Sequence, residues 1–233
     1  MRLSRVCAAA LGVAVSKQAV SRFCRLLAAG VALGVAAPSA SAQSDKKLQD
    51  LLGEMWVTIV ETPFDENLFN PDAVGANPCI DLGGVMVAFE PLPPIEPPEP
   101  SELTCTVNTG TKIFVLGATF ECSTSELGDD ATEEDLRTCA EENDVASAPV
   151  VTLDGEPVQL TEVTTDPVSY ELPPSNIFGT DTLSGQLVAH GWVALLHPMT
   201  PGEHVITIDF EGDGILENRT TIIVEPGASL RRH

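Results

Sequence analysis

The stretch Gln186–Phe210, QLVAHGWVALLHPMTPGEHVITIDF, decides the fold class. From Gln186 to Leu196 both parities are apolar: Leu187, Ala189, Val193 and Leu195 on one, Val188, Trp192, Ala194 and Leu196 on the other. Successive strand side chains point to opposite faces, so this is a strand buried on both sides or one passing from sheet to sheet. Thr200-Pro201-Gly202-Glu203 follows, with a fixed φ and then a positive φ at the two central positions of a type II turn. In Glu203–Phe210, His204, Ile206, Ile208 and Phe210 alternate with Glu203, Val205, Thr207 and Asp209, which predicts a half-buried strand and a closing hairpin.

Outward from there the pattern stays β. Arg219–Glu225 (RTTIIVE), Val168–Leu172 (VSYEL) and Gly83–Glu90 (GGVMVAFE) read as strands, and VVTLDGEPVQL as a hairpin turning at Asp154-Gly155. Leu103–Val107 and Lys112–Phe120 flank Asn108-Thr109-Gly110-Thr111 and predict another hairpin. Two helices interrupt this. Asp45–Gly53 carries Leu48, Leu51 and Leu52 on one face before a closing glycine. A second follows Thr132, with acidic residues in its first turn and Leu136, Cys139 and Ala140 on one face. Met55–Glu61 (MWVTIVE) is β-branched and aromatic, which predicts a strand with Trp56 in the core. Glu90–Ser101 holds six prolines in twelve residues and reads as an extended exposed segment. The expected architecture is a mainly β sandwich, immunoglobulin-like or jelly-roll-like, with one or two short helices.

The N-terminus reads as an export signal. Basic residues precede the apolar run Leu26–Ala37, and Ala40-Ser41-Ala42 supplies the small residues a signal peptidase needs. Cleavage after Ala42 leaves a single β-rich secreted domain over 43–225 and a loose tail over 226–233, in the periplasm or outside the cell. Cys7 and Cys24 leave with the signal. Cys79, Cys105, Cys122 and Cys139 remain, an even number suited to two disulfides in an oxidising compartment. Of three connectivities, Cys122–Cys139 would clip the second helix to a strand end, and Cys79–Cys105 would close the proline-rich excursion. No CxxC is present, against zinc or thioredoxin-type chemistry.

Charge narrows the partners. The chain carries 34 acidic and 12 basic residues. Arg2, Arg5, Lys17, Arg22 and Arg25 precede Ala42, leaving seven basic against 34 acidic residues after it, a formal −27. Such a field repels nucleic acid and anionic lipid. No second run long enough for a membrane span follows, and an extracellular or cell-surface ligand is the partner class left open.

Few residues announce chemistry. His190, His197 and His204 recur every seven residues, but an odd spacing reverses the strand face and a turn intervenes, so a shared metal is not expected. Asp209, Glu211 and Asp213 place hard oxygen donors at alternate positions, like the first half of a calcium loop, without the late bidentate carboxylate. An acidic hairpin turn explains them more simply, and calcium is the one cofactor the pattern admits. There is no GxSxG and no HExxH, and no carboxylate pair is singled out for glycoside hydrolysis.

The segment GWVALLHPMTPGEHVITIDF resembles the closing part of a group of uncharacterised secreted bacterial proteins. Trp56, Asn70-Pro71-Asp72, Gly75, Cys79 and Cys105-Thr106-Val107-Asn108-Thr109-Gly110 fit the same pattern, with Asn108 where the group prefers proline. The resemblance implies secretion and brings no activity. Function is therefore expected to be that of an exported binding or structural module. The alternatives are a secreted carbohydrate hydrolase using carboxylates and a calcium-stabilised adhesion-type module. A deep pocket with converging carboxylates or histidines would count against this non-catalytic reading and for the hydrolase.

Overall fold

In a computed structural model the chain is described over residues 45–73, 75–89, 101–144, 147–210 and 217–227. The expected signal peptide, most of the proline-rich segment, and Glu211 and Asp213 lie outside these. In chain order the elements begin with helix α1 (Asp45–Val60), then strands β1 (Cys79–Asp81), β2 (Val85–Ala88), β3 (Glu102–Asn108) and β4 (Lys112–Ser123). Helices α2 (Thr124–Leu127) and α3 (Glu133–Asn143) come next, followed by β5 (Val150–Leu153), β6 (Glu156–Pro157), β7 (Thr161–Thr164) and β8 (Val168–Glu171). The long β9 (Ser184–Leu196), β10 (Gly202–Asp209) and β11 (Glu217–Glu225) complete the order.

Two sheets pack as a β-sandwich. One runs β1-β2-β4-β9-β7, with β8 also on β9; the other runs β3-β11-β10-β5-β6. Between them Met86, Ile113, Val115 and Ala194 meet Val107, Val151, Ile206, Ile222 and Val224. The first sheet is apolar on its other face too, because α1 covers it. Phe114, Leu116, Leu187, Ala189 and Val193 there pack on Leu48, Leu51, Leu52, Met55, Trp56 and Ile59. Each such aliphatic side chain contributes about 1.5–3 kcal/mol by leaving water. That double coverage is why β9 is apolar at both parities. Helix α3 lays Leu136 and Ala140 on Cys122 and Val188.

The structure corrects three expectations. Met55–Glu61 is not a strand: α1 continues through Gly53 to Val60, because Leu48, Leu51, Leu52, Met55, Trp56, Ile59 and Val60 keep helical spacing and are all buried. Gly53 does not close the helix. A Cβ there would lie 2.9 Å from Val168 Cγ2, so glycine permits close packing on β8. The Asn108–Thr111 turn does not make a hairpin. β3 runs parallel to β11, from Glu102 opposite Arg219 to Asn108 opposite Glu225, while β4 joins the other sheet. Thr109 fixes that choice, its N–H and its hydroxyl each donating to Glu225 O at 2.9 Å. Nor do β9 and β10 form a hairpin: Thr200–Glu203 carries the chain from one sheet to the other, and β10 pairs with β5 and β11. Gly202 takes a φ of 141°, which favours glycine.

Other elements stand as read. Asp154 and Gly155 both take positive φ, 53° and 83°, as a two-residue turn between β5 and β6 requires. Thr132 caps α3 in a capping box with Asp135. Both disulfides form as paired above, with Cα separations of 5.7 Å for Cys79–Cys105 and 5.9 Å for Cys122–Cys139. The first joins β1 to β3 and so staples one sheet to the other; the second clips α3 to β4.

Candidate functional site

The site follows from a mismatch in strand length. β2 pairs with β4 only from Val85 opposite Lys112 to Val87 opposite Phe114. Beyond Phe114, β4 has β9 on one side and, among the described residues, no strand on the other. Register also slips there, at a bulge between Leu116 and Ala118. Two glycines permit it. A Cβ on Gly117 would stand 3.1 Å from Trp192 O, and one on Gly191 would stand 2.9 Å from Ala118 O.

A bulge reverses which parity faces which side. Before it, Phe114 and Leu116 face α1. After it, Thr119 and Glu121 do, since they lie opposite Gly191 and Ala189, and Ala189 packs in the α1 core. Phe120, which simple alternation would bury there, is 38% exposed instead. Glu121 is only 7% exposed. One inserted residue has exchanged an aromatic for a carboxyl.

Along this open edge lies a cavity of about 500 Å³, within the range typical of small-molecule sites. Its aromatic wall is built from Trp56, Phe69 and Phe89: Trp56 meets Phe69 at 6.2 Å and Phe89 edge-on at 5.4 Å between ring centroids. Trp56 is fixed by its indole N–H, which donates to Thr119 Oγ1 at 3.0 Å; the threonine hydroxyl in turn donates to His190 O at 2.8 Å. The second sheet supplies Leu103, Ile208 and Thr220, Phe210 follows β10, and Ile177 and Phe178 also line the cavity.

Three carboxyl groups line the cavity: Glu121, Glu126 and Asp144. They differ in what holds them. Glu126 is exposed, yet its Oε2 accepts from Ser123 N–H at 3.0 Å and Ser123 Oγ at 2.8 Å, capping α2. Lost hydration raises its pKa, partly offset by those two bonds. Asp144, just after α3, holds His190 Nδ1 at 2.8 Å, and Glu162 meets His190 Nε2 at 3.3 Å. Glu121 has no such support. Its Oε2 is buried and has no hydrogen-bond partner among the described residues. Burial, and secondarily the negative charge of Glu126, push its pKa well above the ordinary 4.5.

The residues singled out from sequence fall mostly elsewhere. Trp56 is both core and cavity wall. Trp192 is not among the lining residues, and its indole N–H is buried without a partner among the described residues. His190 is buried between two carboxylates, and His197 is exposed. His204 ties β10 to the Asp154-Gly155 turn, with Nδ1 2.8 Å from Asp154 Oδ2 and Nε2 2.9 Å from Thr200 O. No group of three or more His, Cys, Asp or Glu among the described residues is arranged to hold a metal ion. Asp209 ends β10 opposite Glu217 on β11. No helix among the described residues is long and apolar enough to cross a membrane. Sequence reasoning passed over Glu121, Glu126, Phe69 and Phe89; the available signal was Gly117 inside KIFVLGATF, since a lone glycine in a strand marks a bulge. The chain matches no family model, no curated protein and no solved structure.

Proposed function

We propose that the chain is an exported binding module that takes a small molecule with a large apolar part into the cavity beside β4. The single observation that carries this reading is Glu121, a residue that lines an aromatic-walled cavity and whose Oε2 is buried without a partner among the described residues. A native fold leaves few buried polar groups unpaired, because each costs about 1–3 kcal/mol. A group left so beside a cavity of ligand size is a contact awaiting a ligand. Export is supported by the two disulfides and by the pattern of the first 42 residues.

The test is titration of the purified protein with the uncharged fluorescent probe N-phenyl-1-naphthylamine and with benzyl alcohol, following probe and tryptophan emission. Saturable binding is expected, and Thr220→Phe, which fills the cavity from the second sheet, should abolish it with the fold intact. Binding that survives the filled cavity would remove the proposal.

A secreted hydrolase is the second reading, favoured by two carboxyls with raised pKa on one cavity, a feature of acid–base sites. Binding is preferred because the other polar groups are already engaged: Glu126 caps α2, Asp144 holds His190, and Thr119 bridges Trp56 to β9. Turnover of a polysaccharide panel, lost in Glu121→Gln, would decide for the enzyme.

A further inference from the structure

The chemistry of the cavity selects among apolar ligands. Its charged side chains are all acidic: Glu121, Glu126 and Asp144, with no Lys, Arg or His among the described lining residues. The rest of the wall is unusually rich in rings, with Trp56, Phe69, Phe89, Phe120, Phe178 and Phe210 on it. An aromatic face carries negative charge density and attracts a cation that has shed its water, by about 0.5–2 kcal/mol for each well-placed ring. The whole chain adds a field of the same sign, with a formal charge of −22.

Resting on the binding role proposed above, we infer that the ligand is a hydrophobic organic cation, an amine or quaternary ammonium with an aryl or alkyl body, whose charge sits against Glu121. The aromatic wall takes the body and the carboxyl takes the charge. A neutral apolar ligand would leave Glu121 Oε2 as unpaired as it is now, and an anionic one would face three acidic groups. Burial without a partner disfavours the Glu121 carboxylate in the empty cavity and a bound cation favours it, so over the pH range in which Glu121 holds a proton, binding releases that proton and strengthens as pH rises. Glu126 and Asp144 are the other titratable groups on the cavity among the described residues. Glu126 adds to the same attraction, while Asp144 is committed to His190.

Isothermal titration with benzyltrimethylammonium and with benzyl alcohol separates the possibilities, because the first probe has no proton of its own. The cation should bind about tenfold or more tightly than the alcohol. Repeating the cation titration in buffers of different ionisation heat should show proton release, and affinity should grow with pH. Glu121→Gln should lower cation affinity about tenfold and remove its pH dependence while sparing the alcohol. Equal affinity for the two probes, or cation binding without proton release in the unaltered protein, would overturn the inference while leaving the cavity as a site for neutral ligands. Binding of neither probe would overturn both.

Discussion

The two halves of β4 show how one strand can be scaffold and site in turn. At Ile113 and Phe114 it has a neighbour on each side, and from Ile113 to Leu116 a core on each face. Ile113 and Val115 fill the space between the sheets, and Phe114 and Leu116 pack under α1. From Ala118 to Ser123 it keeps only β9 among the described residues, its parity is reversed, and a carboxyl without a partner among them occupies the place of an apolar residue. The first half is optimised for burial. The second leaves a buried polar group unpaired at a cost in stability, and it is there that the proposed ligand would sit.

That contrast predicts opposite responses to truncation and to removal of polarity. Phe114→Ala, at a residue 1% exposed, should cost about 3–5 kcal/mol in urea unfolding, from lost burial plus a cavity. Opening Cys122–Cys139 by double alanine substitution should cost about 3 kcal/mol and loosen α3 first, visible as faster amide exchange there than in β9. Glu121→Leu should do the reverse of Phe114→Ala, raising stability by about 1–3 kcal/mol in the ligand-free protein, because it deletes a buried unsatisfied group. Stability falling instead would mean that Glu121 is paired in solution and that the two halves do not differ as described. Trp56→Phe keeps the ring wall but loses the bond to Thr119, and should cost about 1 kcal/mol.

The smallest effects concern pH. Hydrogen bonding to Asp154 raises the His204 pKa, and the same bond lowers that of Asp154. His204, with the raised folded value, contributes stability that is full below its unfolded pKa near 6.5 and is lost as pH climbs through the folded one. Asp154, with a depressed folded value, contributes stability present above its unfolded pKa near 3.8 and lost as pH falls through the folded one. The pair should therefore matter most between about pH 4 and 6.5. As Asp154 is half exposed, His204→Gln should cost below about 1 kcal/mol even there. Glu121 also has a raised folded value, so its contribution is full below its ordinary value near 4.5 and fades as pH rises, a slope that Glu121→Leu should flatten.

Much of this fold could be read from residues alone, and the failures share a cause. The alternation of Glu203–Phe210, the Asp154-Gly155 turn, the Thr132 cap and the cysteine pairing are local patterns, and local patterns survived. What a turn joins is decided by distant strands. Asn108–Thr111 has good hairpin residues, yet β11 claims β3 through Thr109 and Glu225. In α1 a β-branched run hid a helical face that becomes clear only when Met55–Val60 is aligned with Leu48, Leu51 and Leu52. The cavity was hidden by a one-residue bulge. With simple alternation through KIFVLGATFECS, Phe120 faces inward and Glu121 lies among the many surface acids; the slip at Gly117 inverts both. Nothing in composition distinguishes that one carboxylate from the others, because its distinction lies in what surrounds it.

The most direct single test is therefore the titration of the Glu121 side chain, followed by NMR through its carboxyl carbon in the ligand-free protein. A buried, unpartnered carboxyl should show a midpoint well above 4.5 and should have no counterpart in Glu121→Gln. A midpoint at the ordinary glutamate value would show a hydrated carboxylate, and with it the distinction between the two halves of β4 and the case for a ligand at its open edge would fail.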